Sequence, residues 1–219
     1  MIKKLNYFCF IFIFLFFACT SKSSISKSEE TATTFSESTN SSFAYTINKD
    51  WLARVKEIVD WAYEEDMYVI INIHHDNTGK DDFGSVLGYY PSEEHKLESI
   101  KYLTRIWEQI SETFNNDYDE HLVFEVMNEP RLKGHIHEWG FSTFCKDCRD
   151  SMNVVKEFNQ ACLDTIRKSG GNNAKRLVVV PSLCASPFNA LNPLFELPKD
   201  SARDALALSV HMYSPYDFA

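Results

Sequence analysis

VFEVMNEPR, residues 123–131, decides the fold. Val123 to Met127 read as a strand, and the run breaks abruptly at Asn128-Glu129-Pro130. Proline has no N–H to offer a ladder, so pairing stops and the chain turns into a loop. A carboxylic acid at the C-terminal tip of a buried strand stands where parallel α/β sheets gather their ligands. Asn128 adds an amide able to orient a hydroxyl beside that acid. Glu125, in mid-strand, reads as a member of a buried polar network.

Outward from this stretch, helix and strand patterns alternate. Upstream, Met67 to Ile73 is a β-branched run ending in His74-His75-Asp76. Downstream, Leu177 to Val180 and Ala205 to Tyr213 are two further strands. Trp51, Val55, Ile58, Val59 and Ala62 recur at helical spacing behind Asp50, a capping residue. Leu97, Ile100, Leu103, Trp107, Ile110 and Phe114 mark a second helix, with Trp107 in its core stripe. Met152, Val155, Phe158, Cys162 and Ile166 mark a third, ended by the left-handed-permissive pair Gly170-Gly171. Near-continuously apolar strands separated by helices imply a parallel sheet buried on both faces. All C-terminal strand ends then open on one rim, so His74, His75, Asn128, Glu129, His211 and Tyr213 can converge. Alternation puts Asn72 and His74 on one face and His75 on the other, which makes His74 the better cleft candidate. Asn128 and Glu129 cannot both obey that alternation, so at least one lies beyond the regular pleat.

The first residues are a different material. Lys3 and Lys4 precede an apolar run from Leu5 to Ala18, broken only by Asn6, and Cys19 follows. That run is shorter than the about 20 residues a membrane span needs and reads as an export signal. The junction resembles a bacterial lipoprotein cleavage site that would lipidate Cys19; plain signal cleavage is the alternative. Residues 1–19 are thus expected to be a leader, 20–44 a Ser/Thr-rich tether, and 45–219 the folded domain. The expected location is outside the cytoplasm, as a cell-envelope lipoprotein held to the membrane by its lipid or as a secreted protein. With 31 acidic against 22 basic residues, the net charge of −9 argues against nucleic acid as a partner. Cys145 and Cys148 are open to a disulfide, half a zinc site or two loop thiols. Zinc ranks last because no second CxxC or CxxH accompanies them. His135, His137 and Glu138 lack a helical i, i+4 arrangement, and no metal is expected there.

Several stations in order resemble glycoside hydrolase family 5, the cellulase family. YVIINIHHD at 68–76 is similar to the third barrel strand of that family, and GYYPS at 88–92 to the loop that follows. FEVMNEPRL at 124–132 is similar to the fourth strand, and HMY at 211–213 to the sixth. The resemblance implies an α/β fold, an incomplete (β/α)8 TIM barrel holding about the third to sixth strands. It implies an exported, endo-acting, retaining β-glucan hydrolase with Glu129 as general acid/base and Asn128 on the neighbouring hydroxyl. His74, His75 and His211 would line the catalytic subsite, and Tyr213 would position the nucleophile. Trp139, in a polar loop, is a candidate sugar platform. The partner implied is a β-linked glucan polysaccharide or oligosaccharide, and no cofactor is required, since two carboxylates about 5–5.5 Å apart suffice.

The family places its attacking glutamate on the seventh strand, and that glutamate has no counterpart among these residues. The first two strands have no counterpart either, since the tether occupies their place. Two expectations follow. Four strands leave two unpaired sheet edges, and Glu129, deprived of a neighbouring negative charge, ionises readily and has no nucleophile to assist. Retaining hydrolysis by these residues alone is therefore not expected. A non-catalytic carbohydrate-binding remnant is the alternative reading.

Overall fold

A computed structural model describes residues 10–15, 45–75, 77–80 and 88–213. These residues build one sheet of five strands in the order β1-β2-β3-β4-β5, and every neighbouring pair is parallel. The strands are β1 (Phe10–Leu15), β2 (Tyr68–Ile73), β3 (Leu122–Glu125), β4 (Val178–Pro181) and β5 (Leu206–Ser209). Helices α1 (Lys49–Glu64), α2 (Lys96–Thr113) and α3 (Lys146–Lys168) alternate with them. Parallel strands paired in chain order, with helical crossovers, are part of an α/β barrel.

The sheet departs from the sequence reading at one edge. Four strands were expected, and the fifth comes from the apolar run assigned to the leader. Its backbone pairs along β2 from Phe10 opposite Tyr68 to Leu15 opposite Ile73. A short apolar run satisfies the pattern of a buried strand as well as that of a leader, so periodicity cannot separate them. The rest of the leader, Cys19 and the 20–44 tether lie outside the described residues.

The helices follow their apolar stripes. α1 buries Val55, Val59 and Ala62, and its cap is Asn48 rather than Asp50. The Asn48 side chain accepts the Trp51 N–H at 3.0 Å, while Asp50 sits in the first turn, where a carboxylate favours the helix dipole. α2 buries Trp107 completely, and its indole N–H donates to the Val126 carbonyl at 3.0 Å. That bond ties α2 to the chain just ahead of Asn128 and Glu129. α3 lays Met152, Val155, Phe158, Cys162 and Ile166 inward. Each such fully buried side chain contributes about 1.5–3 kcal/mol.

At the opposite end of the strands, Arg176 is 3% exposed and acts as a hub. Its guanidinium donates to the carbonyls of Asn115, Tyr118, Asp119 and Leu122 at 2.7–3.0 Å, and to Asn173 Oδ1 at 2.6 Å. Carbonyl dipoles replace its hydration shell, and burial lowers its pKa to about 10. The loops feeding β3 and β4 are thereby pinned.

Candidate active site

β3 ends its ladder at Glu125, yet the chain stays extended beyond it. Val126 N–H donates to Val179 O and Asn128 N–H to Ile73 O, both at 3.0 Å, so each neighbouring strand holds one side of the tip. Both Asn128 and Glu129 therefore lie past the regular pleat. The loops around them are fastened in turn: Cys184 N–H donates to Pro130 O and His211 N–H to Ala185 O, both at 2.8 Å. Cys184 and Ala185 have φ of 60° and 46°, a left-handed pair that turns their groups toward the two strand ends.

The rim opens on a cavity of about 580 Å³. Its lining includes His74, His75, Asn128, Glu129, Trp139, His211 and Tyr213, so the structure brings seven sequence-predicted residues together. His75 lines it alongside His74, because β2 stops at Ile73 and strict alternation no longer governs the pair. Cys19 lies outside the described residues. Sequence reasoning passed over Arg131 and Met212 as cavity residues, although each lies within a quoted motif, Arg131 in VFEVMNEPR and Met212 in HMY.

Glu129 is the electrostatic centre. Its carboxylate oxygen Oε1 lies 2.7 Å from His211 Nδ1, and the Tyr213 hydroxyl reaches the same oxygen at 3.5 Å. The His211 hydrogen bond holds the Glu129 carboxyl below its ordinary range against the opposing pull of burial, with Arg131 and His74 adding to the lowering. The same bond raises His211. His74 moves the other way, to about 4, because burial and the adjacent His75 disfavour its cation. At neutral pH the site thus holds a neutral His74 and a Glu129 paired with His211.

Glu125 has another task. Asn72 Nδ2 donates to its Oε2 at 2.8 Å and Ser209 Oγ to its Oε1 at 2.7 Å. Ser209 Oγ also lies 3.4 Å from His211 Nε2. With its hydroxyl proton committed to Glu125, Ser209 can only accept from His211 Nε2, while Nδ1–H donates to the Glu129 carboxylate, so both ring nitrogens act as donors, as they do in the imidazolium form. Alternation pointed to Asn72; the Ser209 link joins strands too far apart in sequence to be read there. Trp139, 60% exposed, carries the Arg131 guanidinium 4.2 Å over its ring. Arg131 is itself held by Glu138 at 2.9 Å.

A parallel sheet with an acid at its C-terminal rim, backed by histidines and faced by aromatics, places the chain among the barrel glycoside hydrolases. The sequence model of Cellulase (glycosyl hydrolase family 5) matches residues 31–219. The chain belongs to that family. Endoglucanase A of Clostridium longisporum is 42% identical over 173 residues, covering 79% of this chain and 30% of its own length. Endoglucanase B of Ruminococcus albus is 41% identical over 176 residues, covering 80% and 38%. Among solved structures, a family 5 lichenase mutant from Caldicellulosiruptor sp. F32 in complex with cellotetraose superposes with a TM-score of 0.73 at 44% identity, covering 80% of this chain and 45% of that one. A broad-specificity endoglucanase from Ruminococcus champanellensis with bound cellotriose gives 0.69 at 39%, covering 80% and 46%. The chain thus spans about a third of the length of these curated relatives and less than half of these solved chains.

Proposed function

We propose that this protein is an exported, endo-acting β-glucan hydrolase of the retaining type, in which Glu129 is the general acid/base. The observation that carries the reading is the position of Glu129 on the cavity wall, 2.7 Å from His211 and facing the same cavity as Trp139. The cello-oligosaccharides bound to the relatives above support a β-linked glucan as substrate. Stacking on the Trp139 face away from Arg131 and hydrogen bonding to Asn128 and His74 would seat the sugar. In its protonated form Glu129 gives its proton to the leaving oxygen, and the carboxylate so formed then takes a proton from the incoming water.

Retention also needs a carboxylate free to attack the anomeric carbon. Among the described residues lining the cavity, the other carboxylate is Glu125, and both its oxygens are engaged by Asn72 and Ser209. The described residues on their own are therefore expected to bind β-glucan without turning it over. The leader would carry the protein out of the cytoplasm, with Cys19 as the lipid-bearing residue of an envelope form. Affinity electrophoresis through gels containing lichenan or carboxymethylcellulose, paired with reducing-end release, tests the reading. Retardation by the β-glucans and not by starch, without new reducing ends, is expected. Migration indifferent to β-glucan would overturn it.

A further inference from the structure

We propose that His135, Cys145 and Cys148 form a binding site for a thiophilic cation of the zinc type at the N-terminus of α3. One ring nitrogen of His135 and the two sulfurs all lie within 4.8 Å of one another. Tetrahedral zinc with its usual bond lengths sets such ligand atoms roughly 3.5–3.8 Å apart, so closing the cluster takes a movement of about 1 Å. The helix start arranges the sulfurs. Cys145 caps α3, and its Sγ accepts the Cys148 N–H at 3.2 Å, which gathers both thiols in one turn. Cys148 is buried and Cys145 partly open, giving a closed back and an entry path.

The third ligand comes from the loop. His135 sits in a turn closed by its own N–H on Leu132 O at 2.9 Å. Its Nδ1 accepts the His137 N–H at 3.0 Å, and its Nε2 lies 3.6 Å from the Asp147 carboxylate. Ligation through either nitrogen exchanges that single backbone hydrogen bond for a metal bond, a small loss beside two metal–thiolate bonds. Binding releases two thiol protons, and Asp147 or water completes the fourth position. A disulfide would use the sulfurs alone; the imidazole beside them distinguishes a metal site. Sequence spacing hid this cluster, because nine residues separate His135 from Cys145 and only the loop path closes them. None of the three lines the sugar cavity, but Trp139 does, four residues after His135. A metal here would moor that loop to α3.

The test uses the full chain, with leader residues Cys9 and Cys19 changed to Ser, reduced and stripped of metal, and titrated with Cd²⁺. One Cd²⁺ per chain with an ultraviolet thiolate-to-cadmium band, displaced by Zn²⁺, is expected. Cys145→Ser and Cys148→Ser should abolish the band, and His135→Ala should weaken binding at least about tenfold. No band in the reduced protein, or full affinity in a folded His135→Ala variant, overturns the proposal. Should circular dichroism show that variant unfolded, ring-nitrogen NMR of the unsubstituted His135 decides: its shift must move on adding Zn²⁺, and an unmoved shift overturns the site.

Discussion

Replacing His211 by Asn isolates the charge in the Glu129 contact, because the amide keeps a donor near the Nδ1 position but cannot become a cation. Glu129 is held below its ordinary 4.5, so its contribution to stability is present above that value and lost as pH falls through the folded value. His211 is held above its ordinary 6.5, so its contribution is complete below 6.5 and lost as pH rises through the folded value. Both hold together between about pH 4.5 and 6.5. A hydrogen bond to a charged group contributes about 1.5–3 kcal/mol. With the side chains 26% and 14% exposed, screening reduces this to about 1–2 kcal/mol. Urea denaturation at pH 5.5 and at pH 8.5 reads it, the midpoint shift times a common slope giving the difference. His211→Asn should cost about 1–2 kcal/mol at pH 5.5 and less than that at pH 8.5. An equal cost at both pH values, or a larger one in alkali, would refute the ion-pair account of Glu129.

Arg176→Met should cost about 3 kcal/mol or more in the same assay, because four carbonyls lose their donor; a loss under 1 kcal/mol would show the hub to be dispensable. Trp139→Ala should weaken cellotetraose binding roughly fivefold by calorimetry, about 1 kcal/mol of ring contact, while leaving the melting temperature nearly unchanged. Removing residues 1–19 should speed hydrogen exchange at β2 amides, since β1 pairs along all of β2; unchanged protection would mean that the pairing contributes nothing.

The helices were legible because their stripes are long: the Val55, Trp107 and Phe158 positions recur at a period that no strand shares. Ends were less so. Asn48 and Asp50 are both good caps two residues apart, and only backbone geometry selects Asn48. Leu97 obeys the stripe of α2 yet is 71% exposed, because the first turn of the helix runs past the core. The pairing of Phe10–Leu15 along β2 was not legible, since hydrophobicity alone carries no signal of pairing. The rim residues were readable as strand-end polar groups. What joins them was not: the Glu125–Ser209–His211–Glu129 chain spans 84 residues between Glu125 and Ser209. Such contacts are properties of the assembled sheet. The His135 cluster escaped for the same reason.

Under the proposed function, Glu129 is the acid of a site that lacks a free attacking carboxylate among the described residues. External azide tests it most directly, acting on a cellotrioside whose alkoxide leaving group needs a proton to depart. Azide should attack the anomeric carbon, Glu129 should protonate the leaving oxygen, and the inverted α-glycosyl azide should accumulate only when azide is present. Glu129→Gln should lower that rate at least about 100-fold. Equal rates in the two proteins, or β-retained hydrolysis without azide that Glu129→Gln abolishes, would contradict the account.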